Sequence, residues 1–140
     1  MLGRLYEGQD CSAARALELV GERWSLLILR DAMFRGYTRF NQFQKSLGIA
    51  SNILAKRLED FVESGLMERR SGGAGEEYVL TQKGLEFKPT IIALTEWGDK
   101  WVRPGPVLFQ TGSNGKPVAL ELRAADGTAI GVADVVARRR

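Results

Sequence analysis

The sequence contains no histidine and only one cysteine, Cys11. The absence of histidine excludes Ser-His-Asp and Cys-His catalysis, histidine-ligated zinc or haem, and the usual proton shuttle at neutral pH. A single cysteine excludes an internal disulfide bond and a thiolate cage around a metal ion. We therefore expect neither an enzyme nor a protein that holds a metal ion or another cofactor.

Long hydrophobic runs are also missing. No apolar stretch approaches the roughly 18 residues that cross a bilayer, and the N-terminal residues lack the apolar segment of a signal peptide. The 140 residues include 44% hydrophobic and 26% charged side chains, which is ordinary for a globular chain with a core. These features predict a soluble protein of the cytoplasm that has no membrane partner.

A proline- and glycine-rich segment, residues 104–106, predicts a boundary late in the chain. It separates a domain of residues 1–103 from an extension of residues 104–140. The extension alternates apolar and polar residues, carries a turn signal at residues 125–128 and continues into a candidate return strand at residues 130–132. We expect the extension to be β-rich, and its role stays open.

The apolar residues before residue 66 recur at helical spacing and predict four helices. Ser12, Thr38 and Ser51 are the candidate N-caps of the first, third and fourth. The second helix is apolar nearly all round at residues 26–29 and should be central. A glycine ends each helix in turn: Gly21, Gly36, Gly48 and Gly65.

The pattern then changes to two short strand-like runs, residues 66–69 and 77–80, which flank a glycine-rich segment and predict a β-hairpin. Thr81 is the candidate cap of a fifth, long helix, which Pro89 should kink or divide. The predicted fold is mainly α with a small β wing: a winged helix-turn-helix.

The third and fourth helices form the helix-turn-helix, with Leu47 and Ile49 expected to plug the corner between them. On the fourth helix, Leu54 and Leu58 lie on the buried side and leave a polar face opposite. Such a face fits the major groove of DNA. Periodicity alone does not distinguish it from an ordinary solvated helix face.

Particular side chains on this helix suit particular groups of DNA. Asn52 suits an adenine edge and Lys56 a guanine edge. Ser51 and the open N–H groups of the first turn suit a phosphate. Arg57 flanks the apolar stripe beside them, and we include it among the candidate DNA contacts.

The charge distribution points to the same part of the chain. Residues 32–58 contain no acidic residue, whereas an even spread of the 17 acids would place about three there. The same stretch carries five basic residues: Arg35, Arg39, Lys45, Lys56 and Arg57. Arg69 and Arg70 lie at the base of the wing, and because they alternate along a strand we expect only one to face DNA.

In order along the chain, these motifs resemble the HxlR-type transcriptional regulators, relatives of the MarR group. The resemblance covers roughly residues 11 to 101. It is carried by Cys11, Val20-Gly21-Glu22-Arg23-Trp24, Ile28-Leu29-Arg30-Asp31, Gly36-Tyr37-Thr38-Arg39-Phe40, Leu47-Gly48-Ile49, Leu54-Ala55-Lys56-Arg57-Leu58, Ser64-Gly65-Leu66, residues 77–84 and Trp97-Gly98.

The resemblance implies a homodimer that binds a double-stranded DNA operator, often as a repressor, with the first and fifth helices packed between subunits. It also places Arg39 near the DNA backbone, whereas the alternative is that the aliphatic stem of Arg39 only covers the helix-turn-helix. The alternative function is a winged helix used for protein–protein contact without DNA. Trp24, Trp97 and Trp101 either line the pocket of a small-molecule effector or belong to the core and the dimer contact.

Cys11 just before the first helix has two interpretations. It is either a small buried residue at a helix start or a thiol that senses oxidants or electrophiles, as the resemblance implies for several relatives. A helix N-terminus favours the reactive thiolate, although the neighbouring Asp10 opposes it. With one cysteine in the sequence, oxidation would join two subunits or cap the thiol with a small molecule.

Overall fold

The computed structural model describes residues 5–140, and the chain forms two compact units, one up to Ile91 and one from Ile92. The division predicted from the sequence, residues 1–103 and 104–140, stays a prediction. No helix within the described part of the chain is long and apolar enough to cross a membrane. In order, the elements are α1 (Ser12–Val20), α2 (Ser25–Phe34), α3 (Phe40–Leu47), α4 (Ser51–Glu63), β1 (Met67–Gly72), β2 (Gly75–Leu80), α5 (Gln82–Leu85), α6 (Lys88–Trp101), β3 (Leu122–Arg123), β4 (Ala129–Ile130) and a final 3₁₀ turn (Val132–Asp134).

The core of the first unit lies between α2, α3, α4 and the hairpin β1–β2. Side chains of these elements are fully or almost fully buried, and burial of each large one contributes about 1.5–3 kcal/mol. On α2 the central apolar run buries Ile28 and Leu29 but leaves Leu27 exposed, so the run is buried on one side only. The core residues are Val20, Ile28, Leu29, Phe43, Ile49, Leu54, Leu58, Phe61, Leu66, Met67 and Tyr78.

The N-termini of three helices lie one residue away from the predicted caps. Cys11 rather than Ser12 is the N-cap of α1, and Ala50 rather than Ser51 is the N-cap of α4. Neither forms a side-chain capping bond. At α3 the N-cap is Arg39 rather than Thr38, and the side-chain oxygen of Gln42 accepts from the N–H groups of both, at 3.0 Å each. The polar residue that closes this terminus therefore lies inside the helix and reaches back, which propensity at the cap position does not reveal.

The turn between α3 and α4 has the predicted geometry. Gly48 adopts the left-handed conformation, with φ of 65°, which favours glycine and ends α3 abruptly. Ile49 follows it into the core and Leu47 packs partly buried beside it. The prediction that these two apolar residues plug the corner of the helix-turn-helix is confirmed.

The wing is the two-stranded antiparallel hairpin of β1 and β2, with Met67 opposite Leu80 at its base and Gly72 opposite Gly75 at its tip. It is longer than the predicted strands because pairing continues into the glycine-rich segment. The hairpin is tied to the entrance of α3, since the Tyr78 N–H donates to the Thr38 carbonyl oxygen at 2.7 Å. The wing therefore has a defined position relative to the helix-turn-helix.

The single long fifth helix of the sequence-based prediction is two helices. Thr81 caps α5 as expected, because its hydroxyl accepts from the Gly84 N–H at 3.2 Å. After Leu85 the chain turns, and α6 begins at Lys88 with Pro89 in its first turn, where a proline needs no N–H partner. Of the two outcomes predicted for Pro89, a kink or a division of the helix, the structure therefore shows the division.

The second unit contains most of α6 and the extension. β3 and β4 pair antiparallel, with Leu122 opposite Ile130, so the predicted turn and return strand are present. Between them, the Asp126 carboxylate accepts from the Thr128 N–H at 2.9 Å, and Gly127 has a φ of 92°. The hairpin is short, and the chain then forms the 3₁₀ turn instead of a longer strand.

Candidate nucleic-acid interface

Helix α4 presents a polar face opposite a buried apolar stripe. Leu54 and Leu58 are completely buried, whereas Ser51, Asn52 and Lys56 are exposed. The apolar stripe fixes the rotation of the helix, so the exposed face has a defined direction. The structure therefore keeps these three predicted contacts on one accessible side, near the N-terminal half of α4.

Lys56 is held by a buried acid one turn later in α4. Its Nζ lies 2.7 Å from Oδ1 of Asp60, whose side chain is only 3% exposed, while Lys56 itself is about half exposed. The hydrogen bond with Asp60 raises the pKa of Lys56. Burial is the largest single influence on Asp60 and would raise its pKa, but the hydrogen bonds and positive charges around the carboxylate, foremost the hydrogen bond from Lys56, together outweigh burial and lower the pKa. Both groups are therefore charged at neutral pH, and the ammonium group is oriented.

Arg57 lies within the same ion cluster. Its guanidinium lies 3.7 Å from Asp60 and 3.5 Å from Glu22, a residue of the loop between α1 and α2, and its side chain is only 17% exposed. Arg57 thus ties α4 to the preceding helices, a role that the sequence did not reveal. Its predicted contact with DNA stays a prediction, and the structure leaves less of this side chain available than of Lys56.

Arg39 joins the helix-turn-helix to the tip of the wing. Its Nη1 donates to the Ala74 carbonyl oxygen at 2.7 Å, and its Nη2 lies 3.4 Å from the Glu77 carboxylate. We call this pair of contacts the Arg39 clamp. Neither expectation for Arg39, a phosphate contact or a packing role through its aliphatic stem, included it. The guanidinium stays partly exposed, so a phosphate contact stays a prediction.

Arg69 and Arg70 lie on opposite faces of β1, as the alternation predicts. Arg69 packs over the Tyr78 ring at 5.6 Å and pairs with Glu76 at 3.1 Å. Arg70 is the more exposed of the two and is paired with Glu68. Each arginine has an acidic neighbour on the wing, so either one must exchange that ion pair to bind a phosphate.

A buried acid that the sequence analysis did not single out links α2 to α3. Asp31 is fully buried, accepts from the Ser46 hydroxyl at 2.6 Å and pairs with the guanidinium of Arg30 at 2.8 Å. Because α3 precedes the turn into α4, this bond also helps to set the position of α4. The sequence signal was an Arg-Asp pair directly after the apolar run of α2.

Cys11 lies at the N-terminus of α1 and is exposed, with a free thiol. The interpretation of Cys11 as a small buried residue was therefore wrong, since solvent reaches this position. Exposure is compatible with a sensing role, which stays a prediction.

Comparison with known proteins gives a consistent set of relatives. The profile of the HxlR-like helix-turn-helix family matches residues 19–106. The uncharacterized HTH-type transcriptional regulator Rv3095 of Mycobacterium tuberculosis is 46% identical over 110 residues, which is 75% of this chain and 68% of the relative.

Solved structures agree with this assignment. The crystal structure of PA1607, a protein assigned as a transcription factor, matches this chain with a TM-score of 0.84 and 41% sequence identity. The match covers 96% of this chain and 99% of the PA1607 chain. The reduced form of the redox regulator HypR matches with a TM-score of 0.59 and 25% sequence identity, and the match covers 64% of this chain and 91% of the HypR chain. These three relatives are named as regulators or transcription factors and not as enzymes. The chain belongs to the HxlR-like helix-turn-helix family of transcriptional regulators.

Proposed function

We propose that this protein binds operator DNA as a cytoplasmic homodimer, represses transcription and is not an enzyme. The observation that carries the proposal is the exposed polar face of α4, which bears Ser51, Asn52 and Lys56 and is braced by a fully buried apolar stripe. A ridge of this kind is what the major groove of DNA accepts. Arg39, which contacts the tip of the wing, and one of the two wing arginines supply positive charge to the phosphate backbone once they release their acidic partners.

Within the proposal, each predicted contact has a defined task. Asn52 and Lys56 read base edges, and Ser51 with the N–H groups of the first turn binds a phosphate. Arg39, Arg57 and one of the two wing arginines, Arg69 or Arg70, contact the backbone, in each case by exchanging or sharing a present ion pair. The base-reading positions are therefore fewer than the basic residues nearby.

The dimer is supported by apolar side chains that the single chain leaves in solvent. Leu17 of α1 is exposed, and so are Leu94, Trp97 and Trp101 of α6, the last of these with 65% of its surface accessible. Large exposed apolar residues commonly mark an interface between proteins. Two subunits then read two half-sites with centres about 10 base pairs, or a small multiple of that, apart.

The test is an electrophoretic mobility shift with the promoter region beside the gene for this protein. We expect tight, sequence-selective binding that weakens steeply as salt rises, because phosphate contacts release counterions. A scrambled duplex of the same length and composition is the control. If the two duplexes bind equally weakly, the proposal fails and the winged helix serves protein–protein contact instead.

We also propose that oxidation of Cys11 releases the protein from DNA. The support is the exposed free thiol at the start of α1, together with the likeness to the redox regulator HypR, solved in reduced and oxidised forms. Diamide should abolish the mobility shift of the wild type and leave that of Cys11→Ser intact, and dithiothreitol should restore the former. If Cys11→Ser is released as readily as the wild type, Cys11 is not the sensor.

A further inference from the structure

The second unit contains a cavity of about 210 Å³ between α6 and the segment that follows it. One wall consists of apolar side chains from the extension: Val107, Phe109, Pro117 and Val118. The segment is folded back by backbone hydrogen bonds, since the Val118 N–H donates to the Phe109 carbonyl oxygen at 2.9 Å. The cavity is therefore formed by the extension whose role the sequence left open.

The part of the cavity lining that α6 contributes carries two carboxylates. Glu96 and Asp99 are three residues apart on α6 and so lie on the same side of the helix. Each is held in place by one backbone N–H: Leu120 donates to Oε1 of Glu96 at 3.2 Å, and Gly105 donates to Oδ1 of Asp99 at 2.8 Å. These bonds fix both acids at the cavity and engage one oxygen of each.

No lysine or arginine neutralises this pair of acids within residues 5–140. An ion pair of the second unit joins Arg123 to Glu121, outside the cavity. Glu96 and Asp99 are partly buried beside the apolar wall, where a counter-charge stabilises a carboxylate more than it does in open water. A cationic ligand would supply the counter-charge that the described residues do not.

We propose that this cavity binds a small organic cation with an apolar body, such as an aryl-alkyl ammonium ion. The carboxylates of Glu96 and Asp99 pair with the ammonium group, and the apolar wall covers the hydrocarbon part. The volume lies below the range of about 300–1,000 Å³ that is typical of drug-sized ligands, so the ligand contains a single ring or a short chain. This binding function is separate from the proposed DNA binding and is measured without DNA.

The test is isothermal titration calorimetry of the full chain with 2-phenylethylammonium chloride, compared with 2-phenylethanol and 3-phenylpropionate. The three probes share the aryl-alkyl body and differ in charge. We expect the cation to bind about tenfold or more tightly than the alcohol and the anion not to bind, with the preference for the cation falling as salt increases. Equal affinity for cation and alcohol, or no binding of the cation, would overturn the proposal.

The double variant Glu96→Gln/Asp99→Asn assigns the effect to the two acids. Amide oxygens still accept from the Leu120 and Gly105 N–H groups, so the wall should keep its shape while its charge is lost. We expect the variant to bind the cation about tenfold more weakly and the alcohol unchanged. Glu121→Gln is the matched control, since it removes one acid of the same unit outside the cavity. If Glu121→Gln weakens binding of the cation as much as the double variant does, the effect comes from the overall charge of the unit and the proposed site is wrong. If the double variant does not fold, the comparison of the three probes on the wild type decides.

Discussion

Replacing Asp60 by asparagine tests whether the buried ion cluster holds α4 in place. The Asp60 carboxylate pairs with the Lys56 ammonium group and lies near the Arg57 guanidinium. Asparagine keeps the shape of the side chain and removes its charge. Hydrogen bonds to charged groups contribute about 1.5–3 kcal/mol, and removing one partner of a buried ion pair costs about 3–5 kcal/mol. Because water reaches Lys56 and an amide oxygen remains as an acceptor, we expect the free energy of unfolding to fall by about 1–3 kcal/mol.

The assay is urea denaturation followed by circular dichroism, with Glu59→Gln as the matched control because Glu59 is an exposed acid of the same helix. An exposed substitution of this kind changes stability by at most about 0.5 kcal/mol. If Asp60→Asn lies within the same range as Glu59→Gln, the ion cluster does not brace α4 and the reasoning is refuted.

The pH dependence provides a second check on Asp60. An acid whose pKa is lower in the folded than in the unfolded state adds stability above its unfolded pKa, and that stability is lost as the pH falls through the folded pKa. The pKa of Asp60 is lowered from the ordinary value of 3.8. The difference in stability between wild type and Asp60→Asn should therefore be complete at neutral pH and shrink as the pH falls below 3.8. A difference that stays constant into stronger acid would contradict this assignment.

Three further predictions concern the wing and the helices around it. Gly84→Ala would place a Cβ 2.2 Å from the Leu66 carbonyl oxygen, so differential scanning calorimetry should show a loss of stability of about 2 kcal/mol or more. Gly98→Ala is the control, because Gly98 has open space around it in α6, and it should leave the stability unchanged or raise it by about 0.5–1 kcal/mol. Equal effects of the two substitutions would refute the packing argument. Thr81→Val removes the cap of α5 and should cost about 1 kcal/mol by urea denaturation, and an unchanged midpoint would show that the cap is dispensable. Arg39→Met should speed amide hydrogen exchange at the wing tip, because the bond to Ala74 is lost, and unchanged exchange would contradict the clamp.

The helix-turn-helix was predictable because its signals are local. Apolar residues at helical spacing place Leu54 and Leu58 inside, and a glycine at position 48 permits the left-handed turn. The wing was predictable for the same reason, since two strand-like runs flank a glycine-rich segment. Within the helix-turn-helix, the N-termini of both helices shifted by one residue, because the predicted threonine and serine do not form the caps.

The ion clusters were not predictable because their partners come from different elements. The Asp31 carboxylate accepts a hydrogen bond from Ser46 of α3, and the Arg57 guanidinium pairs with Glu22 of the loop after α1. The spacing of Lys56 and Asp60, four residues apart, was visible in the sequence, but the burial of Asp60 was not. The cavity at Glu96 was likewise invisible, since the extension folds back over α6 through contacts that have no sequence signature.

The central claim is that the exposed face of α4 reads DNA. Fluorescence anisotropy with a labelled operator duplex measures it most directly, comparing the wild type with Asn52→Ala/Lys56→Ala and with Glu59→Ala as the control on the same helix. We expect the double variant to lose about tenfold or more in affinity for the operator while its weak binding to a scrambled duplex changes little, and the control to bind at least as well as the wild type. Operator binding by the double variant that equals the wild type at several salt concentrations would contradict the account.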